Sequence, residues 1–329
     1  MPNLDTPPIL SVVVPLRDEM EVVEELHRRL SASLDELAIS SEILLVDDGS
    51  TDATSSILDD LRRRDPRLAV LTLSRNFGHQ AAVTAGLDHA RGDAVVVMDG
   101  DLQDPPELIA DMLALWKEGH EVVYAVRRRR SENIFKRFAY SAFYRLLGSV
   151  AELPIPADSG DFGLMDRKVV DALARMPERK RFVRGLRAYA GFKQVGILYD
   201  RPARPAGRSK YKLADLLRLA TDGLVGFSGD PLRLVTRIGV LVAVAAAAMT
   251  AWVIADALGH QTAPRGWASL VVVVLFMGSI QLLSLGIMGE YVRRIFDEVK
   301  ARPTYVVGRF EPAGMVSQAA EPQRRRARA

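Results

Sequence analysis

Residues 98–106 run Met-Asp-Gly-Asp-Leu-Gln-Asp-Pro-Pro, so two carboxylates, Asp99 and Asp101, stand one glycine apart directly after the apolar run 94–98. A strand that ends in Asp-x-Asp presents two hard oxygen ligands at its carboxyl end, the edge where open α/β sheets bind ligands. The chemistry this suits is a divalent cation held against a diphosphate; an acidic turn with no ligand role is the competing account. A second acidic cluster, Asp47-Asp48-Gly49-Ser50-Thr51-Asp52, closes the apolar run 42–46. Asp48 is suited to accept hydrogen bonds from a base or ribose, Asp52 to pair with a helix start, and Ser50 or Thr51 to cap it. Glu19 follows the first apolar run and is equally a nucleotide contact or a first-turn carboxylate.

Bases are grouped as well. Arg127 is the first of four arginines after the run 122–126 and is placed to make bidentate bonds to a phosphate, whereas Arg128 and Arg129 suit a solvated face. Arg130, Lys136 and Arg137 extend the patch toward an acceptor phosphate or headgroup. Arg208 and Lys210 lie in a loop able to close over a bound nucleotide, with membrane anchoring as the alternative.

These groups need a scaffold, and the first 200 residues alternate between two periods. Short apolar runs at 9–15, 42–46, 69–74, 94–98 and 122–126 predict strands; stretches at 20–37, 52–64, 81–90 and one opening at Pro105–Pro106 predict helices. Strands alternating with helices imply a mainly parallel α/β sheet. The first strand runs into Pro15-Leu16-Arg17-Asp18-Glu19 rather than Gly-x-Gly-x-x-Gly, which argues against a nicotinamide enzyme.

Farther on, 238–255 is 18 residues without a charge and 267–289 another 23, each long enough to cross a hydrocarbon core of ~30 Å. Arg233, Arg237, Arg293, Arg294, Lys300 and Arg302 flank the pair, whereas the connecting loop holds only Arg265, which predicts both ends in the cytoplasm and the loop outside. Between them and the sheet, 213–227 has the amphipathic spacing of a surface helix. The expected division is a domain over 1–211, a juxtamembrane segment over 212–236, two spans within 237–290 and a basic tail over 291–329 with a disordered end. The chain of 329 residues is 48% hydrophobic, carries a formal charge of +3 and has no cysteine, so thiolate chemistry is excluded. No phosphate-binding P-loop, zinc spacing or aromatic-basic pattern points to nucleic acid.

In combination these motifs resemble the family 2 glycosyltransferases of GT-A (Rossmann-like) fold, and more closely the polyisoprenyl-phosphate glycosyltransferases with two spans found in bacteria. The resemblance is carried by Val13-Val14-Pro15 with Glu19, the segments 46–52 and 99–107, Arg75-Asn76-Phe77-Gly78-His79-Gln80, Ser159-Gly160-Asp161-Phe162 with Met165-Asp166-Arg167, and Gly207-Arg208-Ser209-Lys210-Tyr211. It implies that Pro15, Arg17, Glu19 and Asp48 line a nucleoside pocket, that Asp99 and Asp101, with Gln103 in support or merely closing the turn, hold Mg²⁺ or Mn²⁺, and that Arg208, Ser209 and Lys210 meet the nucleotide sugar. Arg17 stands where relatives often carry an aromatic residue. Asp161, with Asp158 as second choice, is the implied acceptor-orienting group or base, and Arg127 and Lys210 stabilise the leaving group.

The implied reaction is inverting transfer of one sugar from a nucleotide diphosphate sugar, a UDP-sugar such as UDP-glucose, to polyprenyl phosphate at the bacterial cytoplasmic membrane, with no nucleic acid partner and homo-oligomerisation left open. A GDP-mannose-dependent mannose synthase and a non-catalytic sugar-nucleotide-binding subunit are the alternatives. A processive synthase would carry Gln-x-x-Arg-Trp, which this chain lacks.

Overall fold

The computed structural model describes residues 8–128, 159–179, 181–200 and 266–314, with the helical positions 239, 244 and 248. Of these, the residues up to 200 and those from 303 form one compact unit, and 239, 244, 248 and 266–302 belong to a second.

Among the described residues the first unit is built on an eight-stranded sheet. The strands are β1 (Leu10–Leu16), β2 (Ser41–Asp47), β3 (Leu68–Leu73), β4 (Ala94–Val97), β5 (Val122–Arg127), β6 (Ser159–Asp166), β7 (Gln194–Tyr199) and β8 (Val307–Glu311), in the order β7-β5-β6-β4-β1-β2-β3-β8. β1 pairs in parallel with β2 and β4, β2 with β3, and β5 with β7, whereas β6 runs antiparallel to β4 and β5, and β8 antiparallel to β3. Every residue of β1 and β4 is buried, as expected of parallel strands covered on both faces. Alternation sorts their side chains: Leu10, Val12, Val14 and Leu16 enter one core and Val13 the other.

The first core is covered by α1 (Val23–Leu37), α2 (Thr54–Arg64) and α4 (Ile109–Lys117), where α1 contributes Val23, Leu26, Leu30 and Leu34 at helical spacing. The opposite core is covered by α3 (His79–His89), α5 (Arg167–Ala174) and α6 (Val183–Tyr189). A 3₁₀ turn over Pro106–Leu108 opens α4 with proline where its missing N–H is harmless.

The segment expected to be a basic tail from 291 is divided. Helix α7 (Trp267–Val299) runs into it, and from Pro303 the chain returns to the first unit, where β8 closes the edge of β3. Arg309 pairs with Asp59, Glu311 lies 3.3 Å from Arg62, Tyr305 Oη donates to Asp88 at 2.9 Å, and the Phe310 ring meets His89 edge-on at 5.0 Å. Ending the chain after Arg302 should therefore destabilise the sheet by about 2–4 kcal/mol and leave an open edge prone to pairing with other chains. Thermal unfolding and light scattering of the truncated protein check this; an unchanged melting temperature would mean β8 is ornamental.

The expected span 267–289 lies within α7, and 238–255 falls outside the described residues except at 239 and 244 and 248, as do 212–236 entirely. Among the described residues no helix is long and apolar enough to cross a membrane. Leu270, Val274, Phe276, Leu282 and Leu285 of α7 are each more than half exposed.

Candidate functional site

The candidate groups gather at the carboxyl ends of β1, β2 and β4, where the loops must be tight. Gly49 has φ +65°, and a Cβ there would stand 2.6 Å from the backbone carbon of Arg75; a Cβ on Gly100 would meet Leu16 Cδ2 at 2.3 Å. Backbone approach and positive φ thus require glycine at 49, whereas at 100 a Cβ would have to displace the end of the Leu16 side chain. Leu102, between Asp101 and Gln103, is held at φ 61°, costly for a branched aliphatic side chain, and its 4% exposure shows what holds it there: burial in the core fixes the strained loop.

Loops after β1 and β2 are laced together. Asp18 N donates to Ser50 Oγ (3.0 Å), Glu19 N to Thr54 Oγ1 (3.0 Å), Met20 N to Asp52 Oδ2 (3.3 Å) and Thr51 N to Asp18 Oδ1 (2.7 Å). The expectation that Ser50 or Thr51 caps α2 is corrected here, since both are engaged with Asp18 and it is Asp52 Oδ1 that accepts from Thr54 N at 3.0 Å. Asp48, 3% exposed, accepts from Phe77 N at 2.7 Å and Gly78 N at 2.9 Å, tying the start of α3 to β2. Burial raises its pKa against these two bonds. Pro15 lies in β1 opposite Val46, and Arg17 is exposed beside Asp18 at 3.5 Å.

On the acidic loop, Asp101 Oδ1 accepts from Gln103 N at 3.1 Å, so Gln103 closes the turn through its backbone. The side chain of Asp99 is 29% exposed and that of Asp101 belongs to a buried residue. Among the described residues no group of three or more His, Cys, Asp or Glu is arranged to hold a metal ion. Two hard carboxylates on a fixed turn fit a dication whose remaining positions are filled by phosphate oxygen and water.

Behind this loop stands a residue without a role in the sequence reading. Asp104, 1% exposed, accepts from Asp99 N and from Tyr199 Oη, both at 3.0 Å, and Tyr199 Oη in turn lies 3.3 Å from Arg127 Nε, which donates to it. Burial and the neighbouring Asp99 charge push Asp104 up to about 6; burial and Asp104 push Tyr199 up to about 12. Arg127, singled out from the sequence, is therefore coupled to the Asp99 loop through Tyr199 and Asp104. Burial opposes its charge, but Tyr199 and the two carboxylates raise its pKa.

The other side of the cleft is Asp161 on β6. Gln80 Nε2 donates to its Oδ2 at 2.8 Å, His79 Nε2 lies 3.3 Å from the same oxygen, and Arg184 Nε donates to Oδ1 at 3.4 Å. His79 Nε2 is also 3.7 Å from Asp99 Oδ1, bridging the two acidic motifs. Burial would raise Asp161, yet His79, Arg184 and Arg187 outweigh it and hold the carboxyl well below its usual range, which makes it a feeble base. Burial likewise opposes charge on His79, and Asp161 and Asp99 overcome it and raise its pKa. Gln80 Oε1 accepts from Val183 N at 2.9 Å, locking α3 to α6.

Thus the structure brings Asp99, Asp161 and Arg127 into one network, through His79 and through Asp104 and Tyr199. Asp158, Arg130, Lys136, Arg137, Arg208, Ser209 and Lys210 lie outside the described residues. His79 and Gln80 carried a signal in the sequence, since they close the motif Arg75–Gln80; Arg184, Arg187 and Tyr199 had none.

Comparison with known proteins adds relatives to this geometry. The family model described as glycosyl transferase family 2 matches residues 11–174. The chain is 46% identical to the uncharacterized glycosyltransferase YkcC of Bacillus subtilis (strain 168) over 298 residues, 90% of this chain and 92% of that protein. It is 39% identical over 303 residues to the prophage bactoprenol glucosyl transferase homolog of Escherichia coli (strain K12), 92% of this chain and 99% of that protein. Among solved structures, glucosyl-3-phosphoglycerate synthase from Mycobacterium tuberculosis in complex with Mn²⁺, UDP and glucosyl-3-phosphoglycerate is similar at a TM-score of 0.47 and 21% identity, over 68% of this chain and 80% of that one. At that distance the likeness carries no chemistry across.

Proposed function

Because the chain belongs to glycosyl transferase family 2, we propose that this enzyme transfers one sugar from a nucleoside-diphosphate sugar to a polyprenyl phosphate. The observation that carries the reading is Asp161. Soluble sugar acceptors need a base to take up the hydroxyl proton. Asp161 is braced by Gln80, His79 and Arg184 and has its basicity suppressed, so it is ill suited to that task. An acceptor that is already ionised near neutral pH, such as a phosphate monoester, has no need of it. The bactoprenol glucosyl transferase names of relatives at about 40% identity support the same acceptor and a glucosyl donor. UDP-glucose is the donor we assign.

In this reading a phosphate oxygen of the lipid attacks the anomeric carbon, the bond from that carbon to the diphosphate oxygen breaks, and the nucleoside diphosphate leaves with the electron pair; configuration inverts. Asp99 and Asp101 would hold Mg²⁺ or Mn²⁺, which when bound would neutralise the diphosphate. Arg127, fixed by Tyr199, adds charge on the acceptor side. Asp48, Glu19 and the laced loops after β1 and β2 form the floor for the nucleoside. Arg208, Ser209 and Lys210 close over the donor, and Arg130, Lys136 and Arg137 gather the lipid phosphate. The chain sits in the bacterial cytoplasmic membrane with two spans and both ends inside; the exposed apolar side chains of α7 support this.

Purified full-length protein, given radiolabelled UDP-glucose and undecaprenyl phosphate, should yield label that partitions into organic solvent as a single-sugar lipid and is released by mild acid. Label recovered as a water-soluble oligosaccharide, or no transfer from any UDP- or GDP-sugar, would overturn the proposal.

A further inference from the structure

Asp161 has more cationic neighbours than its single charge requires. Arg187, 3% exposed, faces it from α6, and its other contacts are the Gly160 carbonyl at 3.4 Å and the Tyr124 ring, 5.5 Å from the guanidinium to the centroid. A guanidinium so buried needs a counter-charge, and Asp161 is the one that faces it. Arg184, one turn earlier on α6, is placed differently. It reaches Asp161 through Nε alone, at 3.4 Å; its guanidinium carbon lies 5.2 Å from the Phe182 ring centroid; and its side chain is 29% exposed. Among the described residues its Nη1 and Nη2 groups meet no acceptor. A guanidinium held by Nε on one carboxylate oxygen keeps its other edge as a planar fork, the geometry that matches two phosphate oxygens. The fork belongs to the cleft, since Asp161 is linked to Asp99 through His79 in steps of 3.3 and 3.7 Å.

We propose that Arg184 is a phosphate-binding residue of this site, braced by Asp161 so that its Nη1–Nη2 edge takes a phosphate group. The inference rests on the reading of the cleft as a place where phosphates meet. It assigns Asp161 a purpose its weak basicity leaves open: the carboxylate positions a cation instead of moving a proton. Phosphate of the donor and phosphate of the acceptor share this chemistry, and binding measurements separate them without turnover.

The test uses full-length protein in detergent, as wild type, Arg184→Gln and Arg184→Lys, titrated calorimetrically with UDP plus MnCl₂, with uridine, and with farnesyl phosphate. Arg184→Gln should weaken binding of UDP or of farnesyl phosphate by about 10- to 100-fold, as loss of a charge-assisted fork does, while uridine binding stays within twofold. Weakening of UDP alone assigns the donor phosphate; weakening of farnesyl phosphate alone assigns the acceptor. Arg184→Lys, which keeps the charge and loses the fork, should fall between. Unchanged binding of both phosphate probes overturns the proposal, as does a parallel loss for uridine, which would mark a merely structural arginine. Should Arg184→Gln fail to fold, Arg184→Lys carries the same comparison: UDP or farnesyl phosphate weakened beyond uridine supports the proposal, and equal effects overturn it. Wild type that binds both probes yet transfers no sugar to lipid sinks the proposed function and leaves Arg184 standing.

Discussion

An Asp101→Ala enzyme should lose transfer by about a thousandfold while still unfolding cooperatively within a few degrees of wild type. A metal clamp on a departing diphosphate contributes several kcal/mol to the transition state; in the proposed mechanism Asp99 and Asp101 would be its two protein ligands, so removing one would forfeit most of that stabilisation. The fold gives up less. Asp101 accepts Gln103 N, a bond of about 1–3 kcal/mol if left unmet, and the loop keeps its anchors in Leu102 and in Asp104 beneath Asp99. Initial rates with saturating Mn²⁺ and with EDTA, alongside thermal melts, test it. Near-normal turnover in EDTA would remove the metal from the mechanism, and a collapsed melt would show that the loop's carboxylate is structural first.

Asp161→Asn should do the reverse, costing stability more than chemistry. The substitution leaves Arg187 buried with no counter-charge, which typically destabilises by about 3–5 kcal/mol. The effect has a pH signature. Because the folded-state pKa of Asp161 lies below the usual 3.8, the folded protein binds that proton less readily than the unfolded chain. The stability this confers is fully present above pH 3.8 and is lost as pH falls from there toward the depressed value. The gap between wild type and Asp161→Asn should accordingly be wide at pH 7 and shrink below about pH 4. Asp104 works in the opposite sense: its raised pKa makes the fold less stable as pH climbs from 3.8 through about 6. Melting curves between pH 3 and 8 read both trends. Equal stability of Asp161→Asn and wild type at pH 7 would mean that Arg187 finds compensation elsewhere.

The half of the fold up to β5 was legible because its signals are local. A strand buried on both faces is a short unbroken apolar run, and α1 places its buried leucines at helical spacing, so each element declares itself within a dozen residues. β6 does not. It reads Ser-Gly-Asp-Phe-Gly-Leu-Met-Asp, and a Cβ on its Gly163 would stand 2.7 Å from the Val123 carbonyl, so central packing demands the glycine that erases the pattern. β8 was hidden for another reason: it is an exposed edge whose pairing with β3 is written nowhere near it. The site divides the same way. Asp99 and Asp101 announce themselves because two carboxylates share one turn. His79, Gln80 and Arg184 meet Asp161 only through the packing of α3 and α6 against β6, and no spacing along the chain foretells that. The expected cap at Ser50 or Thr51 failed because Asp18, in left-handed geometry at φ 51°, claims both residues.

Val307–Glu311 is also a statement about time. Arg309 meets Asp59 across 250 residues of chain, so β3 leaves the ribosome with a bare flank that stays bare until the returning segment has been made. The apolar stretches 238–255 and 267–289 emerge during that interval. Those stretches thus emerge before the sheet is completed, and a polypeptide that stops short of β8 carries an unpaired strand that proteases and chaperones can grip. Pairing of β8 with β3 thus marks a chain in which everything between the two strands has already been made.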